Sequence, residues 1–292
     1  MDLTIHLDNR NKLTFNKPEK WNNLLLCSKI KYYSTILDHN YSIYVDKICA
    51  KEIVTHLTNE VIKTAKIIKV LDTINDFTVD DINPNHMLKA THASGWNFVF
   101  NKSHLESLTN TLQSIQQFLN KYNTIYDNHE QQYKYIKPRF FIEEKIDDLY
   151  IGKTGNAIVF MVRCIHGNPI SIGVKLPISY KIKTSNGVYE NQFDIINLLY
   201  DTNWNIIIQP DLIKKYKDKN INIDKFTIPK PIKLDIMLEN AKILSNRFEF
   251  VRIDYYIDKN HDIYFSEFTF TPAGGNITFD PKIEFELGKT WT

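Results

Sequence analysis

Cysteines are few in this sequence, and it has no long hydrophobic run. The three cysteines, Cys27, Cys49 and Cys164, are scattered and show neither a CxxC pair nor a Cys/His spacing typical of metal ligands, so we expect the reduced thiols of an intracellular protein. No window approaches the length and apolarity of a membrane span, and the N-terminus lacks the basic region and apolar run of a signal peptide. These absences predict a cytoplasmic protein without a membrane span.

The sequence also lacks an excess of charge of either sign. It has 36 Lys and Arg against 34 Asp and Glu, so the net charge is +2 and no general nucleic-acid-binding surface is expected. Neither the GxGxxG spacing of Rossmann folds nor the GxxxxGK[ST] spacing of P-loops occurs. The 292 residues suffice for one large domain or for two to three subdomains.

Hydrophobic periodicity and turn residues predict an α+β fold, because strands and helices alternate without a regular βαβ period. Helices are predicted at residues 19–37, after an N-cap at Asp46, after a capping box at Ser103, and after Pro231. Strands are predicted at residues 65–71, 87–89, 140–146, 157–165 and 170–175. Residues 178–230 are polar and interrupted by prolines, which predicts irregular structure.

A hairpin near the C-terminus is predicted to bring two acids face to face. Strands 250–257 and 263–270 flank a short loop, and a symmetric loop pairs Asp254 with Glu267. The same register pairs Arg252 with Thr269. Because side chains alternate along a strand, the opposite face is predicted to be core. That face carries Val251, Ile253, Tyr255, Tyr264, Phe268 and Phe270.

Opposed carboxylates repel each other, and a cation between them stabilises the pair. Two carboxylates beside an arginine suit Mg²⁺ and a phosphate better than they suit zinc or iron, so these residues favour a magnesium–nucleotide site. The alternative is a solvated hairpin face that carries ordinary charges.

A second stretch, Lys89 to Asn97, joins a cation at a strand end to the small residues Ala93, Ser94 and Gly95. Such a loop can aim backbone N–H groups and a hydroxyl at phosphate oxygens. The alternative is an ordinary tight turn. The loop is therefore informative only together with the other motifs.

Taken in order, these motifs resemble those of the TupA-like branch of the ATP-grasp superfamily, over about residues 40–292. The branch has a Lys-x-x-His-x-Ser-Gly-x-Asn loop, which is matched by Lys89, His92, Ser94, Gly95 and Asn97. Its other motifs are matched by Asp46-Lys47, a strand into Glu143, Tyr200-Asp201 with Trp204, Phe250 to Asp254, and Phe265 to Pro272.

The resemblance implies an ATP-grasp fold, in which two α+β subdomains clamp a nucleotide, with ATP and Mg²⁺ as cofactors. It implies a partly helical N-terminal segment at 1–45, a small subdomain with the phosphate loop at 46–147, and a large subdomain with the magnesium site at 148–292. The implied nucleotide-binding residues are Lys47, Lys89, His92, Ser94, Gly95, Asn97, Glu143 and Glu144, the two glutamates lying at the adenine and ribose. The implied metal ligands are Asp254, Glu267 and Thr269, with Arg252 on the transferring phosphate.

The chain departs from the branch at two informative places. Val159 to Met161 stands where the branch has Asp-Tyr-Lys, so one lysine contact is missing. We expect Arg163 and Lys175 to replace it in the same cleft, as catalytic residues beside Arg252. Lys51 stands where the branch often has arginine, which keeps the charge but loses the bidentate fork.

The resemblance implies an ATP-dependent carboxylate–amine ligase. ATP would phosphorylate a carboxylate, and an amine would attack the acyl phosphate to give an amide, ADP and phosphate. The branch suggests glycan assembly, with a small-molecule or glycan substrate and an amino acid as partners. The alternatives are a phosphotransferase acting on a sugar or phosphate acceptor, and a nucleotide-binding protein without turnover.

Overall fold

The computed structural model describes residues 12–126, 130–149, 157–184, 187, 189–219, 221–222, 227–276 and 278–292. The strands are β1 Lys63–Thr64, β2 Ile67–Leu71, β3 His86–Ala90, β4 Asn97–Val99, β5 Phe140–Glu144, β6 Val159–Ile165, β7 Asn168–Lys183, β8 Tyr189–Tyr200, β9 Phe250–Ile257 and β10 Ile263–Thr269. They form a six-stranded sheet of order β1-β10-β9-β6-β7-β8 and a four-stranded sheet of order β2-β5-β3-β4. Among the described pairs, β1 and β10 are parallel and the others are antiparallel.

Helices cover parts of both sheets. They are α1 Leu26–Ser34, α2 Ser42–Val45, α3 Lys47–Leu57, α4 Ser103–Glu106, α5 Leu108–Tyr122, α6 Pro210–Asp218, α7 Leu234–Ser245 and α8 Pro281–Lys289. Short 3₁₀ helices lie at Trp21–Asn23, His39–Tyr41, Ile74–Asp76, Val79–Asp81, Gln131–Tyr135 and Pro272–Gly275. This combination confirms the predicted α+β class. No helix in the described ranges is long and apolar enough to cross a membrane.

The predicted helix starts have different outcomes. The Asp46 N-cap is confirmed, because its carboxylate accepts hydrogen bonds from the backbone N–H groups of Ile48 and Cys49. The capping box at Ser103 is wrong, since the Ser103 hydroxyl donates to the Asn101 side chain instead. The helix also breaks at Ser107, whose φ of −135° and ψ of 65° separate α4 from α5.

The prediction that residues 178–230 are irregular is wrong. β7 extends to Lys183, β8 spans Tyr189–Tyr200 and pairs with it in an unbroken register, and α6 follows. An alternating signal was present, because Val174, Leu176 and Ile178 are all buried on one face of β7. The polar residues between them, and Pro177, concealed that alternation.

Two hydrophobic clusters form the core. The smaller one lies between the four-stranded sheet and α5, and its buried members fall between Leu71 and Ile142. The larger one packs against the six-stranded sheet and includes Ala50, Ile53 and Val54 of α3. The predicted subdomain boundaries at residues 45/46 and 147/148 stay a prediction.

Candidate active site

The hairpin of β9 and β10 has the predicted register at its functional end. Asp254 lies opposite Glu267, and Arg252 lies opposite Thr269. A bulge between Phe265 and Glu267 shifts the register of the residue pairs that lie closer to the loop. Because of this shift Phe265 is buried in the core, and the prediction that Tyr264 is a core residue is wrong.

The charged side of this hairpin continues across the six-stranded sheet. One row of cross-strand partners is Thr269, Arg252, Arg163 and Ser171, and the next row is Glu267, Asp254, Met161 and Gly173. We call this surface the charged face. It forms one wall of a cavity of about 430 Å³, whose other walls come from the four-stranded sheet, α1 and the segment before α8.

Ten of the residues predicted from the sequence line this cavity. They are Lys47, Lys89, Ser94, Gly95, Asn97, Arg163, Lys175, Arg252, Asp254 and Glu267. They come from α3, from β3 and β4 with the loop between these strands, and from four strands of the larger sheet. The fold thus brings together residues that lie up to 220 positions apart in the chain, from Lys47 to Glu267.

Arg252 joins the two opposed acids of the charged face. Its guanidinium donates to both oxygens of Asp254, at 2.7 and 2.6 Å, and its Nη2 lies 3.8 Å from Oε1 of Glu267. Burial raises the pKa of Asp254 above its ordinary value, and Glu267 adds to the rise, which Arg252 only partly offsets. Thr269 accepts from Arg252 and donates to Glu267, both at 3.2 Å, but it does not line the cavity.

The donor chemistry of this pair fits Mg²⁺. Within the described ranges, no three His, Cys, Asp or Glu side chains are placed to hold a metal ion together. Mg²⁺ does not need three, because it is often bound by one or two carboxylates together with waters and substrate phosphates. Asp254 and Glu267 supply those carboxylates at adjacent positions, with the Thr269 hydroxyl beside them.

Two lysines face the acids from the other side of the cavity. Lys89 on β3 forms an ion pair with Glu143 on β5, and Glu143 also accepts from Lys51 of α3. Burial lowers the pKa of Lys89, but Glu143 more than compensates, so this pKa lies above its ordinary value. Lys47 donates to the Ala93 carbonyl, and burial lowers its pKa to about 8. Lys47 therefore loses its charge as the pH rises through about 8, whereas Lys89 keeps its charge there.

The loop between β3 and β4 lies at the cavity, as the phosphate-loop prediction requires. Ser94, Gly95 and Asn97 all line the cavity wall. Gly95 has a φ of +73°, a left-handed conformation that glycine adopts without strain. This geometry brings the loop close to the two lysines, while its role as a lid over phosphates stays a prediction.

Three other predicted nucleotide-binding residues do not line the cavity. His92 is fully buried. Its Nε2 lies 3.0 Å from the Tyr122 carbonyl and its Nδ1 accepts from the Arg139 N–H, so both ring nitrogens form hydrogen bonds with the backbone. Glu143 lies behind Lys89 and is 3% exposed. Glu144 is exposed near Lys66, because adjacent side chains on a strand point to opposite faces.

Other cavity residues were not predicted from the sequence. Cys27 and Ile30 come from α1, and Phe279 and Glu284 come from the C-terminal part of the chain. No motif identified them, since hydrophobic residues in a helix are most often simply core. Glu284, a charged residue in the first turn of α8, is 1% exposed.

Comparisons with known proteins agree with the motifs read from the sequence. The profile of the family described as TupA-like ATPgrasp matches residues 26–292. A search of curated proteins finds no significant match.

Several solved ligases are similar in structure to this chain. D-alanine–D-alanine ligase from Bacillus anthracis is 17% identical with a TM-score of 0.46, and the match covers 85% of this chain and 64% of that one. L-amino acid ligase from Bacillus licheniformis is 11% identical with a TM-score of 0.43, and the match covers 85% and 48%. The chain thus spans less than two thirds of either protein, and neither TM-score is high enough to bear on activity.

Proposed function

The chain belongs to the TupA-like ATP-grasp family, and we propose that it is an ATP- and Mg²⁺-dependent ligase that joins a carboxylate to an amine. One observation carries this proposal. Asp254 and Glu267, held by Arg252, form one wall of a cavity whose opposite side presents Lys47, Lys89 and the adjacent small-residue loop. Lys47 and Lys89 on one side and the two acids on the other suit a triphosphate bound with Mg²⁺ between them.

Each group has a role that its own chemistry supports. Lys47 and Lys89 would bind phosphate oxygens as point charges, and the loop containing Ser94 and Gly95 would offer N–H groups. Asp254 and Glu267, with Thr269, would hold Mg²⁺, which neutralises charge on the phosphates when it is bound. Transfer of the γ-phosphoryl group to a substrate carboxylate gives an acyl phosphate and ADP. Attack by an amine on the acyl carbon then expels phosphate and forms the amide.

We propose the same two subdomains that the sequence predicts, residues 46–147 and 148–292, as the halves of the nucleotide clamp. The separate hydrophobic cluster of the four-stranded sheet supports the part of the first from Leu71 to Ile142, whereas α3 packs in the larger cluster. Lys47 and Lys89 come from this half, and Asp254 and Glu267 come from the other, so nucleotide binding between them would draw the halves together. A role in glycan or polysaccharide assembly, an amino-acid substrate and a cytoplasmic location stay predictions.

A screen for ADP release tests the ligase proposal. The protein is incubated with ATP and Mg²⁺, and uronic acids and amino acids are added singly and in pairs. The masses of the products are measured by mass spectrometry. We expect ADP release that depends on both a carboxylate and an amine, with a product that has lost one water relative to the two substrates. ADP release that never depends on an amine contradicts ligation.

The same screen distinguishes the alternatives. A product heavier than one substrate by a single phosphate indicates a phosphotransferase. ATP binding without ADP release across the whole panel indicates a nucleotide-binding protein without turnover.

A further inference from the structure

Arg163 is a buried cation of the cavity that has no ion-pair partner among the described residues. It lies in the middle of β6, is 6% exposed and lines the cavity. Its Nη1 has no hydrogen-bond partner, and no acid among the described residues forms an ion pair with it. Its cross-strand neighbour Arg252 is bound to Asp254, and Lys89 is bound to Glu143. An unpaired buried charge is costly, so this position strongly favours an incoming anion.

Gly173 provides the space that Arg163 occupies. A Cβ atom built on Gly173 would lie 2.9 Å from Nη1 of Arg163 and 3.0 Å from the terminal methyl of Met161. The guanidinium therefore extends from its own row over Gly173 in the next row, beside Met161. Met161 is the position where the resembling branch carries lysine, so the positive charge missing there is supplied from Arg163.

The other side of the guanidinium is held by an aromatic ring. Its Cζ lies 4.6 Å from the ring centroid of Phe279, a cation–π contact. Phe279 is fixed in turn by Glu284, which accepts from the Phe279 and Thr278 N–H groups at 3.2 Å and from the Cys27 N–H at 2.9 Å. Arg163 is thus positioned before any ligand binds, which lowers the entropic cost of binding.

We propose that Arg163 binds a carboxylate group of the second substrate, the one other than the nucleotide. The proposal rests on the proposed ligase function, because it names the substrate class of the same cavity. Arg163 contacts the segment before α8, near the start of α1, whereas the nucleotide-side lysines come from α3 and β3. The planar guanidinium fork matches a carboxylate through two parallel hydrogen bonds, which a lysine cannot form.

Burial, with a contribution from Arg252, lowers the pKa of Arg163 to about 9. A bound carboxylate opposes both effects, since it supplies the negative charge that the site lacks. The guanidinium stays charged at neutral pH, so a bound carboxylate offsets the cost of burying this charge. The charged groups that face Arg163 in this balance are Arg252, Asp254 and Glu284.

Calorimetric titration of three variants tests the proposal. Arg163→Met keeps the aliphatic part of the side chain and removes the guanidinium. Arg163→Lys keeps the positive charge and removes the guanidinium. Gly173→Ala displaces the guanidinium without changing its charge. The matched control is Lys242→Met, an exposed cation of α7 outside the cavity. The probes are MgATP alone, inorganic phosphate, and glucuronate, galacturonate, L-glutamate and L-alanine, each with and without MgADP.

We expect the wild type to bind at least one carboxylate of the panel. Arg163→Met should weaken that binding about tenfold to a hundredfold, and Gly173→Ala should weaken it in the same direction. Arg163→Lys should fall between wild type and Arg163→Met, and MgATP affinity should change less than about twofold in all of them. The thermal midpoint of Arg163→Met should not fall, because an unpaired buried charge is removed.

Three results overturn the proposal: no carboxylate binding by the wild type, carboxylate binding that survives in Arg163→Met, or a loss of MgATP affinity equal to the loss of carboxylate affinity. Preferential loss of inorganic phosphate binding assigns Arg163 to the transferred phosphate and also overturns it. A wild type that binds no MgATP contradicts the ligase function instead. The carboxylate titrations without nucleotide still decide the role of Arg163 in that case.

Discussion

Asp254 and Glu267 share one cation, Arg252, whose guanidinium gives two hydrogen bonds to Asp254 and lies 3.8 Å from Glu267. Glu267 is the more accessible acid, with 28% of its side chain exposed against 6% for Asp254. Glu267 is therefore the acid that can turn to an incoming cation with the smaller loss of existing contacts. Arg252 is satisfied by Asp254 alone, so it does not require Glu267.

Glu267→Gln keeps the shape of this side chain and removes its charge. We expect Mg²⁺-dependent ATP binding to weaken by about tenfold or more, because one of the two carboxylates is lost. The apo protein should be no less stable, because the repulsion with Asp254 is relieved. Calorimetry at several Mg²⁺ concentrations and urea unfolding measure the two effects, with the exposed Glu239→Gln on α7 as the control. A markedly destabilised apo variant would show that Glu267 is a structural partner.

Lys47 predicts a pH dependence of nucleotide binding. Its pKa is lowered to about 8 by burial, with a further contribution from Lys89 that Glu267 opposes. A bound phosphate favours the charged form, so ATP affinity should be level below about pH 7 and fall up to about tenfold by pH 9. Lys47→Met should bind ATP more weakly and lose most of this fall. Calorimetry at pH 7 and 9 checks this, and an identical pH profile in the variant would remove Lys47 from the phosphates.

Sequence reasoning at the residue scale worked where strand geometry was its basis. The pairing of Asp254 with Glu267 followed from a symmetric hairpin and is confirmed. The motif match that included His92 and Glu144 does not tell which way a side chain points. The side chain of His92 is buried, and that of Glu144 points to solvent. These directions depend on how the strands pair in the sheet, which the motif does not give.

At the scale of elements, a strand was predicted at residues 170–175, but the second half of β7 and the whole of β8 were missed although local signals were present. The dipeptide Asn186-Gly187 is a common hairpin turn, and alternation runs through Val174, Leu176 and Ile178. Polar residues on the other face give this stretch the overall composition of a loop. The prediction for residues 178–230 therefore relied on amino-acid composition. The two-residue period of the hydrophobic side chains was the better indicator of secondary structure.

The contact between α1 and the 3₁₀ helix at Pro272–Gly275 shapes part of the cavity wall. Gly275 has a φ of +73°, and a Cβ there would lie 2.7 Å from backbone atoms of Lys31 in α1. Gly274 has a φ of +61°, but the nearest atom to its Cβ is 4.0 Å away. The two glycines thus share a left-handed backbone conformation and differ only in packing.

This difference gives a matched pair of variants. Alanine at either position costs about 1–2 kcal/mol, because both adopt the left-handed conformation. Gly275→Ala should lose about a further 1–3 kcal/mol, because α1 must move away. Urea unfolding of both variants measures the difference. Equal losses in the two variants would show that α1 does not depend on this close approach.

At the scale of the whole molecule, one segment of the chain leads from the smaller sheet to the larger one. After β5 it leaves the four-stranded sheet, and residues 147–149 run beside the end of β9 before β6 begins. The Leu149 N–H donates to the Ile257 carbonyl at 2.8 Å, and the Lys259 N–H donates to the Asp147 carbonyl at 3.0 Å. Sequence patterns predicted the strands on either side but not this attachment, which depends on contacts between segments more than 100 residues apart.

Asp148 makes this attachment sensitive to pH. Burial raises its pKa to about 6, with contributions from Asp147 and Asp258, and its Oδ1 is buried without a hydrogen-bond partner among the described residues. Between about pH 4 and pH 6 the unfolded chain releases this proton before the folded protein does, so stability falls as pH rises through that window. Above pH 6 the folded protein holds a poorly solvated carboxylate at the attachment.

Asp148→Asn removes that charge and keeps the size of the side chain. We expect its thermal midpoint to exceed that of the wild type at pH 7.5 and to match it near pH 4, where Asp148 is already neutral in the fold. Asp72→Asn, at an exposed acid after β2, is the control and should show no such pH-dependent gain. Differential scanning calorimetry at the two pH values measures the effect. A gain of equal size at both would mean that side-chain shape, and not the charge of Asp148, limits the stability of the attachment between the sheets.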